Sequence, residues 1–103
     1  MVRLNDLRKI FDSERYYYTV HAQEQMALRH VRDLEIREAI LGNRAEIIEQ
    51  YPEDKYSPSC LIYGVTLEER ILHVQVNSQG VVITVYEPDM KRWLEDKKTR
   101  RRP

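Results

Sequence analysis

Apolar positions along the chain change period once. Leu4, Leu7, Ile10 and Phe11 recur at helical spacing and predict a short helix over residues 4–12. RYYYTV is rich in β-formers and predicts a short strand, and Thr19 at its end is placed to cap a new helix through its hydroxyl. That helix covers residues 20–29, with Ala22 and Met26 one turn apart and Ala27 and Val31 flanking the same apolar side. DLEIREAIL predicts a further helix with Leu34, Ile36, Ala39, Ile40 and Leu41 as its apolar residues, Asp33 as its cap and Gly42 as its stop.

The second half reads as strands. AEIIEQY is followed by the polar loop YPEDKYSPS and then by SCLIYGVT, RILHVQV and VVITVYE. LEE and NSQG, which separate these last three runs, are short enough for antiparallel hairpins. The pattern predicts an α+β fold, N-terminal helices packed on one antiparallel sheet of about four strands. Pro88 ends the last strand, and DMKRWLEDKK reads as a short helix with Trp93 folded back on the sheet. The chain divides into an N-terminal helical extension at 1–15, a single α+β domain at 16–94 and a basic flexible tail at 95–103.

Alternation within the strands separates two sheet faces. Val81, Ile83 and Val85 share one face, and Val82, Thr84 and Tyr86 share the other, which is polar toward its C-terminal end. Leu72, Val74 and Val76 form an apolar face opposite the mixed set Ile71, His73 and Gln75. In TVHAQEQMALRHV, four-residue steps put His21, Gln25 and Arg29 on one drifting helical stripe beside the core-facing Ala22 and Met26. A polar sheet face beside that stripe makes a shallow groove. The stripe itself reads either as a reactive surface or as the wet side of an ordinary helix.

Composition narrows the chemistry. The chain has 103 residues, enough for one modest core, and 42% of them are hydrophobic. No apolar run has the length of a membrane span, and MVRLNDLRKIF lacks a signal-peptide core, so a cytoplasmic protein with no membrane partner is expected. The single cysteine, Cys60, sits in the apolar run SCLIYG and reads as a buried structural thiol, outside any thiolate zinc cluster. Lys plus Arg equals Asp plus Glu at 17 each, which argues against an obligatory nucleic-acid coat protein, although KKTRRRP adds local phosphate affinity. The three glycines form no phosphate loop, so nucleotide-driven chemistry is not expected. His21 and His30 lack the spacing of paired helical metal ligands, and neither a metal nor another cofactor is expected.

Histidine moves protons near neutral pH, arginine grips phosphate oxygens and a tyrosine hydroxyl donates a hydrogen bond. Cleaving RNA without a metal needs little more: a 2′-OH is deprotonated, attacks the adjacent phosphate, and a cation stabilises the transition state. Each residue also has an ordinary reading. His21 can bond the preceding strand, His30 can complement the helix dipole and His73 can pack within the sheet. Arg29 can pair with a glutamate of the following helix, and Tyr86 can pack across strands. The YYY run can be a half-buried strand or can stack on bases.

Val20-His21-Ala22, Met26, Arg29 and Val31, then Leu34-Glu35-Ile36 and Ala39-Ile40, resemble the DUF4258 family. The resemblance resumes at Cys60-Leu61-Ile62-Tyr63-Gly64, Leu72-His73-Val74 and Ile83-Thr84-Val85-Tyr86, and covers residues 16–94. It implies a compact RelE/barnase-like α+β fold and a toxin of a type II toxin–antitoxin pair, a metal-independent endoribonuclease acting on mRNA. It carries His21, Arg29, Thr84 and Tyr86 into the site. In that reading His21 is the general base or acid, Arg29 stabilises the phosphate, and Tyr86 donates to or orients it with Thr84 in support. Gln25, His73 and Tyr63 are the substrate-binding candidates. Two positions depart from the family pattern: Gln25 stands where a basic residue is common, and His30 where glycine is common. RNA and a cognate antitoxin protein are the expected partners, and a homodimer is allowed. The alternative is a non-catalytic RNA- or protein-binding module on the same fold.

Overall fold

The three N-terminal helices form where the periodicity puts them. In the computed structural model, which describes residues 1–102, α1 spans Leu4–Asp12, α2 spans Val20–Arg29 and α3 spans Asp33–Leu41. Leu7 and Phe11 carry α1 into the core. Thr19 caps α2: its Oγ1 accepts the Ala22 N–H at 2.9 Å and donates to the Ile83 carbonyl at 3.0 Å. One hydroxyl thus starts the helix and pins it to the last strand.

The cap of α3 is not Asp33. Arg32 is the N-cap residue, and the Glu35 carboxylate reaches back to its N–H at 3.0 Å. Asp33 is engaged instead by the hydroxyls of Tyr16 and Tyr18, at 2.7 and 2.5 Å. Gly42 ends α3 as expected.

The strands are β1 (Tyr17–Tyr18), β2 (Glu46–Tyr51), β3 (Ser59–Val65), β4 (Ile71–Asn77) and β5 (Val81–Tyr86), in the order β1-β5-β4-β3-β2. The sheet therefore has five strands and is mixed, rather than antiparallel with about four. β2 to β5 form the expected antiparallel meander. The RYYYTV run adds β1 to the edge of β5, and because it arrives through two helices and three strands rather than a hairpin, it pairs parallel.

A bulge changes the phase of β5. Gln75 pairs with Thr84 while Val76 pairs with Val82, which leaves Ile83 as an extra residue. Simple alternation would put Val81, Ile83 and Val85 together in the core. The buried pair is in fact Val82 and Val85, while Val81, Thr84 and Tyr86 stay on the opposite face. The core lies between the helices and the face formed by Cys60, Ile62, Leu72, Val74, Val76, Val82 and Val85. α3 lies directly on β3 because Gly64 has no Cβ; one added there would stand 2.4 Å from the Ala39 carbonyl oxygen. Cys60 is fully buried, and burial pushes its thiol up to about 12.

The helix expected over DMKRWLEDKK does not form. Asp89 Oδ1 accepts the backbone N–H groups of Lys91 and Arg92, and Asp96 Oδ1 those of Lys98 and Thr99, so aspartate turns replace helical bonding. Trp93 nevertheless folds back on the sheet and is buried. The described part of the basic segment expected as a tail, 95–102, lies against β2. Lys98 pairs with Glu46 at 2.8 Å and Arg100 with Glu49 at 2.8 Å, because β2 offers carboxylates to the basic segment. Residues 88–102 thus form a strap across the second sheet face. No helix among the described residues is long and apolar enough to cross a membrane.

Candidate functional site

β1 ends at Tyr18, opposite Val82, so the second half of β5 has no strand beside it on that edge. α2 occupies the vacant edge. Ala22, on its inner side, is fully buried, while His21 reaches over to the second sheet face. His21 Nε2 lies 3.2 Å from Thr84 Oγ1. One to two turns along, Arg29 Nε donates to Gln25 Oε1 at 2.9 Å, so Arg29 pairs within its own helix and not with a glutamate of α3.

These side chains form one wall of a cleft of about 350 Å³. Leu61, Gln75, Thr84 and Tyr86 make its floor, and Arg92, Trp93 and Arg100 of the strap make its far side. Five of the residues picked from sequence therefore meet in one place: His21, Gln25, Arg29, Thr84 and Tyr86.

His73 and Tyr63 do not join them. His73 is fully buried beneath Trp93, whose ring meets it edge-on at 4.4 Å between centroids, so it cannot touch a ligand. Both of its nitrogens are also occupied. Nε2 lies 2.6 Å from the Lys97 carbonyl oxygen, which can only accept, so Nε2 carries the proton. In the neutral ring Nδ1 then accepts the Tyr86 hydroxyl, 3.3 Å away. Burial holds the His73 pKa below its ordinary value, against the opposing pull of the Lys97 carbonyl and Glu49, and favours that neutral ring. The Tyr86 proton is thereby committed to His73, and its oxygen lone pairs are left for the cleft. Tyr63 lies outside the cleft, its ring under the Lys98 ammonium at 4.8 Å.

Three arginines, Arg29, Arg92 and Arg100, and two carboxylates, Glu87 and Asp89, line the cleft. Arg100 is neutralised by Glu49, with Nε–Oε2 at 2.8 Å and Nη2–Oε1 at 3.2 Å. Burial acts to raise the Glu49 pKa, but the hydrogen bonds from Arg100 and Tyr51 outweigh it and hold it low. Glu87 pairs with Arg70 at 3.1 Å, and Asp89 keeps its charge while accepting two backbone N–H groups of its own turn. Arg29 and Arg92 pair with no carboxylate among the described residues. One guanidinium without a carboxylate partner, Arg29, thus shares the His21 wall, and another, Arg92, stands on the far side. Among the described residues no group of three His, Cys, Asp or Glu side chains comes together as a metal site.

Arg70 was not singled out from sequence, yet it holds the wall in place. Its guanidinium donates to the carbonyls of Arg29 at 2.7 Å and His30 at 2.9 Å, and pairs with Glu35 at 3.2 Å and Glu87 at 3.1 Å. It therefore ties the end of α2 to the start of α3 and the end of β5. His30 is the residue that turns the chain there, in the left-handed region at φ 54° and ψ 50°. This is a position where glycine carries no Cβ penalty. Its ring does not line the cleft.

Gln75 was legible from alternation as a residue of the mixed face. Arg92, Trp93 and Arg100 were not legible as cleft residues, because the segment that carries them reads as a helix and a tail.

A family model described as a domain of unknown function, DUF4258, matches residues 18–87. The matched segment holds the α2 wall and the sheet floor; the strap lies beyond it. No curated protein and no solved structure matches the chain.

Proposed function

The chain belongs to the DUF4258 family, and we propose that its cleft is the active site of a metal-independent endoribonuclease, a RelE/barnase-like toxin held in check by a cognate antitoxin. The observation that carries this reading is the convergence of His21, Thr84 and Tyr86 with Arg29 and Arg92, neither held by a carboxylate among the described residues, in one open cleft. The α+β layout, with helices on one sheet face and the cleft on the other, supports the comparison with RelE/barnase-like domains only at the level of architecture.

In this reading Arg29 and Arg92 hold the non-bridging oxygens of a scissile phosphodiester. His21 takes the proton of the neighbouring 2′-OH, its ring oriented by Thr84. Tyr86, whose own proton is directed to His73, orients the scissile phosphate from the cleft floor. The 2′-oxygen attacks phosphorus, the two guanidinium groups stabilise the added charge, and the 5′-oxygen leaves toward the exposed mouth, where solvent protonates it.

The test is cleavage of bulk RNA by the purified protein in the presence of EDTA. Cleavage is expected, with a loss of at least about a hundred-fold in His21→Ala and Arg29→Ala. Absence of cleavage, or cleavage that survives both substitutions, overturns the mechanism. RNA or protein binding at the cleft without cleavage points to the non-catalytic module instead.

A further inference from the structure

The second sheet face holds another hollow, of about 550 Å³, at the opposite end of β5 from Tyr86. Val81 and Ile83 form its apolar floor, and Asp54, Lys55, Tyr56 and Ser57 of the β2–β3 loop form its wall. The bulge at Ile83 makes this floor, since it leaves two apolar residues outside the core where regular alternation would leave one.

We propose that this hollow is a nucleobase subsite, which receives the base adjacent to the phosphate held in the cleft. The inference rests on the phosphodiester reading of the cleft, and three observations carry it. The first is continuity. Ile83 lines the hollow and its neighbour Thr84 lines the cleft, while Gln75 of the cleft reaches Asp54 of the hollow at 3.5 Å. Thr84 and Val81 are three residues apart, about 10 Å of strand, within reach of a ribose and base extending from a phosphate over Thr84.

The second observation is an aromatic platform. Tyr56 stands on the rim 87% exposed, with the Lys55 ammonium 5.2 Å from its ring centroid. A largely exposed aromatic ring is suited to stacking a base on its open face, and the Lys55 ammonium over the ring adds positive charge beside it. The third is the mix of surfaces. Aliphatic groups cover the floor, and the polar groups on the wall are largely satisfied: Asp54 Oδ2 accepts from Ser59 Oγ at 2.5 Å, and Ser57 Oγ meets Ser78 Oγ at 2.8 Å. Such a site favours the flat face of a base over a second phosphate, and it tolerates several bases because recognition is by stacking.

The experiment compares two probes, adenosine 5′-monophosphate and ribose 5-phosphate, by amide chemical-shift titration of the intact protein. The nucleotide is expected to bind at least about five-fold more tightly. It should shift Val81, Ile83 and Tyr56 together with His21 and Thr84, whereas the sugar phosphate should shift only the last two. Tyr56→Ala should bring nucleotide affinity down toward that of the sugar phosphate and leave the latter unchanged. The exposed Tyr56 makes no core contact, so this variant keeps its fold. Equal affinities with shifts confined to the cleft overturn the base subsite and leave the phosphate site standing. Shifts in the hollow without shifts in the cleft overturn the link between them. No shifts with either probe overturn both.

Discussion

His21 Nε2 stands 3.2 Å from Thr84 Oγ1, joining the first turn of α2 to the last strand across 63 residues of sequence. This contact closes the cleft and fixes which ring edge of His21 faces it. Thr84→Val keeps the β-branched shape and removes the hydroxyl. Cleavage is expected to fall by about ten-fold, less than the hundred-fold or greater loss in His21→Ala, because the histidine remains but is no longer oriented. An unchanged rate would remove Thr84 from the site.

Arg70 ties the carbonyls of Arg29 and His30 to two carboxylates, Glu35 and Glu87. Its side chain is 21% exposed and that of Glu35 is 10% exposed. Arg70→Gln leaves the Glu35 charge partly buried and two carbonyls short of a donor. A loss of about 2–3 kcal/mol is expected in urea unfolding, below the range for a fully buried pair because solvent reaches the guanidinium. Amide exchange at the end of α2 should rise more than in the β3–β4 hairpin. Uniform exchange changes would mean that Arg70 does not act locally on the Arg29 wall.

Much of this arrangement was readable in the sequence, for physical reasons that also mark where reading stopped. The stripe His21, Gln25 and Arg29 needed only helical period, and Thr84 with Tyr86 only strand alternation. Both signals are local, and both survive the bulge because it falls before Thr84. The phase of Val81 to Ile83 did not survive, since a bulge has no distinctive residue here and is specified by pairing with β4. β1 was visible as a strand, but its parallel partner lies 64 residues further along the chain, beyond any hairpin rule. His73 looked accessible because it alternates onto the polar face; only the strap, folding Trp93 over it, makes it interior. The strap was missed because its order comes from aspartate turns and from carboxylates on β2, neither of which leaves a periodic pattern.

His30 holds a left-handed conformation at φ 54° in the turn between α2 and α3. Its Cβ is strained there, and glycine would remove that strain at the cost of a more flexible unfolded chain. His30→Gly is therefore expected to raise stability by about 0.5–1 kcal/mol and the melting temperature by a few degrees. Cleavage should be unaffected, as the His30 ring does not line the cleft. Calorimetry on the two proteins checks this, and a clear destabilisation would show that the imidazole contributes more than the turn costs it.

His73 predicts the pH dependence of the strap. It is fully buried, with Tyr63, Tyr86 and Trp93 against its ring, the Lys97 carbonyl on Nε2, and Glu49, Arg100 and Lys97 as the nearby charged groups. Burial lowers its folded pKa below the ordinary 6.5. A group whose protonated form is disfavoured in the fold binds its proton more readily when unfolded. Stability is then fully present above pH 6.5 and declines as pH falls from there toward the folded pKa. The melting temperature should be flat from about pH 8 to 7 and drop as pH falls below about 6.5. His73→Gln, whose amide can still donate to the Lys97 carbonyl, should flatten that drop. Stopping at about pH 5 keeps the Glu49–Arg100 pair out of the measurement, since the Glu49 pKa is held below the ordinary carboxylate value. A wild-type profile matching that of His73→Gln across this window would mean that His73 titrates as freely in the fold as in the unfolded chain, and would undo the assignment of a neutral, Nε2-protonated ring beneath Trp93.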